Sequence, residues 1–302
     1  MPTVDSSSPS SDPAARAACG ELPLPVVGGD LAVPLVTGER VRYVNLDCAA
    51  SAPCLRAVHE AVTGLLPWYS SVHRGAGFAS AVMTEAYGAA REIIAAHVGA
   101  GPDDQVVFTR NTTDSLNLLA SALPEDTTVV CFASEHHANL LPWRRGRFVQ
   151  LPIPPSPEVA LARVEDALRT LTSRHRLLAV TGASNVTGEI WPVAELAALA
   201  HRYGARIAVD AAQLAPHRAV DMAALGVDYL ALSGHKLYAP FGAGVLARIP
   251  LGETLRFELM PDVRVPLSRD EFQVRRTGEL IRVHRPGAVE ARLSLGFAWE
   301  LR

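Results

Sequence analysis

The chain has 302 residues, 49% of them apolar and 20% charged, with a formal net charge of −3. That composition describes an ordinary globular chain, long enough for one large or two modest domains. It excludes a nucleic-acid binder held by phosphate neutralisation, and with no unbroken apolar run of spanning length it excludes a helical membrane protein. Four scattered cysteines (Cys19, Cys48, Cys54, Cys131) are no disulfide framework and fit a reducing cytoplasm. The first residues lack a basic start ahead of an apolar run, so they do not read as a secretory signal.

Residues 1–38, rich in Ser, Pro and Ala without a sustained period, read as a flexible leader. From Val41 onward short apolar runs alternate with amphipathic stretches. The runs are Tyr43–Leu46, Val106–Thr109, Val129–Phe132, Phe148–Leu151, Leu177–Thr181, Ile207–Asp210, Tyr229–Leu232 and Val245–Ile249. Helical stretches fall near 54–66, 81–98, 113–122, 157–171, 193–203 and 221–225; in the second, Val82, Ala86, Ala89, Ala90, Ile93, Ile94 and His97 form one stripe of period 3.6. Strands that are apolar throughout and spaced by helices imply a mostly parallel sheet covered on both faces. The fold class is therefore α/β, with a large domain over 39–249. Residues 250–302 form a reduced C-terminal segment of α+β type, in which Glu279–Val283 and Ala291–Phe297 suit strands.

In such a sheet the reactive groups collect beyond the C-terminal strand ends. The polar residues standing there are Asp47, Thr109 with Asn111, Thr112 and Thr113, Ser134 to His137, Ser184 with Asn185, Asp210 with Gln213, and Ser233 to Lys236. No G-x-G-x-x-G follows an early strand, and neither G-x-x-x-x-G-K-[ST] nor G-x-S-x-G occurs. Those absences argue against dinucleotide enzymes, P-loop NTPases and α/β-hydrolases. His136 and His137 are adjacent rather than one helical turn apart and no C-x-x-C exists, so no metal site is expected. Cys48 and Cys54 read as core residues.

Among 28 basic residues a single one is lysine, Lys236. Where a plain positive charge serves, this chain uses arginine. An amine that can lose its proton and attack a carbonyl is a task that guanidinium cannot perform. Pyridoxal 5'-phosphate explains the set. Lys236 would form the internal aldimine, and Asp210 would pair with the pyridinium nitrogen and keep the ring an electron sink. Thr112 and Thr113, opening a helix, offer N–H groups, hydroxyls and a positive dipole end to the phosphate. Ser233 and His235 would complete that cup, and Gln213 would reach the phenolic oxygen. His73 and Arg74 read either as a substrate-entrance pair or as a solvated helix start.

Seven motifs in order carry a resemblance: N-L-D-C-A-A-S-A-P at 45–53, H-R-G at 73–75, V-F-T-R-N-T-T-D-S-L-N-L at 107–118, S-E-H-H-A-N at 134–139, S-N-V-T-G at 184–188, V-D-A-A-Q at 209–213 and S-G-H-K-L-Y-A-P at 233–240. They resemble the class V aminotransferase family of fold-type I pyridoxal phosphate enzymes, and most of all its cysteine desulfurase and selenocysteine lyase branch. The resemblance implies that 39–249 binds the cofactor, that His136 stacks on its ring, and that Asn185 lies near the phenolic oxygen and the substrate carboxylate. It implies an amino acid substrate, Lys236 as the acid–base at Cα, and a homodimer. Arg292, in R-L-S at 292–294, echoes the family's late R-x-S, whose arginine clamps the substrate carboxylate; the alternative reading is an ordinary surface arginine. The branch's sulfur-accepting cysteine lies in its C-terminal domain, whereas no cysteine follows Cys131 here. The expectation is therefore a desulfurase-like lyase or aminotransferase without that relay; the alternative is a degenerate or truncated relative that binds the cofactor or a partner only.

Overall fold

A computed structural model describes residues 24–73 and 77–248, and beyond them only the backbone of four strands. The first described element is a hairpin of β1 (Ala32–Pro34) and β2 (Arg40–Arg42). It turns through Gly38, whose φ of 85° suits a residue without Cβ. Residues 32–38 therefore belong to a hairpin, not to the leader expected there: a three-residue strand is too short to show a period in a Pro- and Gly-rich stretch. The strand expected over Tyr43–Leu46 does not form either. It gives way to irregular chain in which Val44 is 65% and Leu46 92% exposed.

The main sheet has seven strands: β3 (Gln105–Thr109), β4 (Thr128–Phe132), β5 (Arg147–Leu151), β6 (Arg176–Thr181), β7 (Arg206–Asp210), β8 (Tyr229–Ser233) and β9 (Gly244–Arg248). Their spatial order is β3-β9-β8-β7-β6-β4-β5, parallel except for β9, which runs antiparallel to both neighbours. Among the described residues six α-helices accompany it: α1 (Arg56–Leu65), α2 (Phe78–His97), α3 (Thr112–Ala122), α4 (Pro157–Thr170), α5 (Val193–Arg202) and α6 (Met222–Leu225).

The alternation of strand side chains explains why these runs are apolar throughout. Val129, Cys131, Leu177, Ala179, Ala208, Tyr229 and Ala231 pack on one face with Leu116 and Leu119 of α3. Val130, Phe132, Leu178, Val180, Ile207, Val209 and Leu230 pack on the other with Val164 and Leu168 of α4 and Leu196 of α5. Each buried Leu, Ile or Phe contributes about 1.5–3 kcal/mol, so the sheet centre carries most of the stability. The peripheral helices differ. No residue of α1 is buried, and on α2 Ile93 of the expected stripe is 69% exposed. The half-buried part of that stripe is Val82, Ala86, Ala90 and Ile94, while Ala89, Ile93 and His97 face solvent.

The second compact unit, Leu251–Arg302, contains two antiparallel ladders. In one, β10 (Leu255–Arg264) pairs with β13 (Glu290–Trp299); in the other, β11 (Phe272–Arg276) pairs with β12 (Glu279–His284). Among its described residues there are strands and no helix, so the helical part of the expected α+β character lies outside what is described.

Candidate active site

Because β4, β6, β7 and β8 are parallel neighbours, their C-terminal ends share one rim. The rim gathers Glu135 and His136 after β4, Asn185 after β6, Asp210 ending β7, and Ser233 ending β8. Asp210 sits beside Thr181 of β6 and Ala231 of β8 in register. It is 4% exposed, and its Oδ1 accepts the Ala212 N–H at 3.0 Å. Burial raises the pKa of this carboxyl above the ordinary range; the Ala212 N–H, His136 and Lys236 all pull it back down. Lys236 closes a 3-10 turn, Gly234–Lys236, directly after β8. The predicted amine and acid thus stand at the same end of the sheet, on adjacent strands.

The opening of α3 separates two residues that the sequence treats alike. The Thr112 N–H donates to Ser233 Oγ at 3.0 Å, and the two hydroxyls share a further bond of 2.8 Å. Both side chains are buried, at 4% and 3% exposed, and satisfy each other. Asn111 caps the helix by accepting the Asp114 N–H at 2.8 Å. Thr113 is exposed and, among the described residues, its N–H and hydroxyl have no partner. The site thereby keeps a free pair of donors at a helix N-terminus while locking the neighbouring pair into the sheet. Gly244 of β9 makes this junction possible, since a Cβ there would lie 2.5 Å from the Asn111 backbone.

His136 is exposed, and its Nδ1 accepts the Ala138 N–H at 3.1 Å, so the neutral ring carries its proton on Nε2. Burial, and then Lys236, push the His235 imidazole below its usual range. Gln213, expected at the phenolic oxygen, donates from Nε2 to the Ala49 carbonyl at 3.0 Å and so ties the N-terminal segment to the β7 loop. A second tie comes from Ala52, whose N–H donates to the His235 carbonyl at 2.9 Å. Asn185 is exposed in a turn whose Ser184 Oγ accepts two backbone N–H groups. His73 has a φ of 59°, donates its N–H to Thr84 Oγ1 and meets the Tyr87 ring edge-on; no contact joins it to the rim. Arg74 lies outside the described residues. So does the Arg292 side chain, whose backbone pairs with Asp262 in β13.

A cleft of about 50 Å³ beside Lys236 is lined by Cys48, Ala52, Gln213, His217 and Tyr238, among others. Cys48 is half-buried in this cleft, not in the core as its apolar neighbours suggested. Sequence reasoning also missed His217, which sits in a turn with no period to mark it, and it placed Glu135 at the rim without giving it a task. Tyr238, two residues past the lysine, holds a φ of 60° that costs a side-chain-bearing residue of order 1–3 kcal/mol.

An amine, a buried carboxyl and a helix N-terminus at the C-terminal rim of a mostly parallel sheet define the large domain of a cofactor-dependent α/β enzyme. The family profile described as aminotransferase class V matches residues 44–255, and the chain belongs to that family, whose members depend on pyridoxal phosphate. A probable cysteine desulfurase of Halalkalibacterium halodurans is 38% identical over 212 residues, which cover 67% of this chain and 52% of the relative. One from Pseudomonas aeruginosa is 42% identical over 210 residues, covering 67% and 52%. The chain spans about half the length of the curated relatives it matches. Among solved structures, the cysteine desulfurase CsdA of Escherichia coli aligns with a TM-score of 0.56 at 37% identity over 68% of this chain and 53% of that one. The apo cysteine desulfurase of Thermococcus onnurineus aligns with 0.59 at 35% identity, over 66% and 52%.

The residues fit that cofactor by their chemistry. A buried carboxyl that burial pushes toward neutrality has room for a cationic ring nitrogen, the free Thr113 donors suit a phosphate, and the Lys236 amine suits an aldehyde.

Proposed function

We propose that this chain carries the cofactor site of a pyridoxal-phosphate enzyme acting on an amino acid, of the cysteine desulfurase or class V aminotransferase kind. The observation that carries this reading is the meeting of Lys236, buried Asp210 and the open Thr113 end of α3 at one rim. When bound, pyridoxal phosphate supplies an electron sink for a substrate carbanion.

The chain's own residues have the following parts. Lys236 would hold the cofactor's aldehyde carbon and, as a free amine, would move the proton at the substrate Cα. Asp210 keeps the ring nitrogen protonated. Thr113 binds the phosphate directly, with Thr112 and Ser233 fixing the helix end and His235 standing beside the cup. His136 stacks on the ring. Gln213 and Asn185 face the phenolic oxygen, Gln213 with the second hydrogen of an amide already anchored on Ala49. His73, Arg74 and Arg292 are the candidates for substrate contact. A homodimer is part of the same reading, and Leu66, Trp68, Tyr69 and Phe78, all exposed, are apolar residues of the kind that pairing covers. So is a cytoplasmic setting, in keeping with free thiols at Cys48, Cys54 and Cys131. No helix among the described residues is long and apolar enough to cross a membrane.

The test is covalent. Purified chain incubated with pyridoxal phosphate and borohydride should yield one modified peptide, containing Lys236, by mass spectrometry. Modification elsewhere, or none, would refute the assignment.

A further inference from the structure

Between the end of β4 and the His136 imidazole stands a carboxyl to which the reading above gives no task. Glu135 is 6% exposed, and its Oε2 accepts a 2.6 Å hydrogen bond from Asn139 Nδ2. Asn139 is fully buried. Its backbone oxygen accepts Trp143 Nε1–H at 2.7 Å, and its Oδ1 approaches the same donor at 3.3 Å. The Thr181 backbone N–H, at the end of β6, also serves the Glu135 carboxyl. One side chain thus bridges the turn that presents His136 to the strand end beside Asp210. Burying a carboxyl costs free energy that an apolar residue of the same size would not, so its presence here is poorly explained by stability alone.

We propose that Glu135 is a positioning residue: through Asn139, Trp143 and Thr181 it fixes the His136 turn against the end of β6 beside Asp210, and so sets where the imidazole meets the cofactor ring. The inference rests on the pyridoxal phosphate reading and adds to it a residue that touches neither ring nor substrate. Its electrostatics agree. Burial pushes the Glu135 carboxyl up to about 8, Asp210 adds to the rise, and the Asn139 and Thr181 donors oppose it. Near neutral pH Glu135 is therefore mainly uncharged. The Cys131 thiol on the same strand is also driven up, to about 12, by burial first and then by Glu135. Burial raises Asp210 as well, and there the Ala212 N–H, His136 and Lys236 oppose the rise. A neutral strut is what glutamine can imitate.

The experiment compares the intact chain with Glu135→Gln, Glu135→Leu and Trp143→Phe, each loaded with pyridoxal phosphate. Visible circular dichroism of the cofactor band reports how rigidly the ring is held; titration gives cofactor affinity, and the cofactor-free Tm reports folding. Glu135→Gln should keep most of the induced ellipticity and stay within about twofold in Kd, whereas Glu135→Leu should lose half or more of the ellipticity and about tenfold in Kd. Trp143→Phe, which deletes one donor and little volume, should show a smaller loss of the same sign. A folded Glu135→Leu chain with wild-type ellipticity and Kd overturns the proposal, as does a Glu135→Gln chain as impaired as Glu135→Leu. If Glu135→Leu fails to fold, unchanged ellipticity in Trp143→Phe overturns it. A wild-type chain that shows no cofactor band removes the cofactor reading and this inference with it, while variants matching a coloured wild type remove the inference alone.

Discussion

At the β4–β7 flank of the rim, Glu135, Asp210 and Thr181 are 6%, 4% and 7% exposed, whereas on the β8–β9 flank the residues from His235 to Tyr238 are half-buried and Phe241 is 82% exposed. The first flank excludes water and holds carboxyls at raised values. The second keeps its amine and imidazole near a cleft. Charge acts most strongly where the dielectric is low, so the closed flank is suited to setting the electronics of a bound ring. An amine that must release and recapture a proton needs the open one. The division of labour follows from where the sheet ends and the 3-10 turn begins.

Breaking the closed flank should cost most. Asp210→Asn removes a charge-assisted partner of roughly 1.5–3 kcal/mol, so affinity for pyridoxal phosphate should fall about tenfold to a hundredfold in equilibrium titration. A Kd unchanged from wild type would contradict the pyridinium role.

The same flank is sharpened by titration. Glu135 has a folded-state value near 8 against an ordinary 4.5, so its protonated form is the one that folding favours. Its contribution is therefore complete below about 4.5 and drains away as pH rises toward 8. The Tm of the wild type should fall relative to Glu135→Gln across that window, by about 2–4 °C for each kcal/mol lost. A gap that stays constant from pH 5 to pH 8 would show that the carboxyl is not held neutral.

Where the flanks meet, Ser233→Ala strips the acceptor from the buried Thr112 N–H and the partner from its hydroxyl. About 1–3 kcal/mol of stability should go, read as a lower denaturant midpoint at unchanged slope. On the outer side, the exposed Arg110 pairs at 3.0 Å with the partly exposed Asp114. Arg110→Ala should leave the Tm unchanged within the reproducibility of the scan, because screened surface pairs contribute little.

The strands of the closed flank were legible in the chain itself. Val129 to Phe132, Leu177 to Val180 and Ile207 to Val209 are apolar at every position because both faces of the sheet are covered. The rim residues followed from the strand ends. Tyr43–Leu46 has the same local character, yet no neighbouring strand receives it, and pairing is a long-range fact that composition does not carry. Likewise nothing local distinguishes Thr112 from Thr113; Ser233, far along the chain, decides which of them is consumed. Glu135 looked like one polar residue among four, since burial of a carboxyl depends on Asn139, Thr181 and Asp210 arriving around it. Cys48 was misplaced for the same reason: its surroundings are made by Lys236 and His217. The roles of His136 and Asn185 came from resemblance to a family, and geometry alone would have left them as nearby polar groups.

The reversed direction of β9 has a bearing on biogenesis. Strand β3, emerging early from the ribosome, reaches the sheet only through β9, whose residues Gly244–Arg248 are made long afterwards. Thr112, opening the helix that follows β3, therefore has no partner for its N–H and hydroxyl until Ser233, beside the lysine turn, has been synthesised, and such distant pairings are slow to form. The opening of α3 and the turn that carries Lys236 are thus completed together, as one late event of folding.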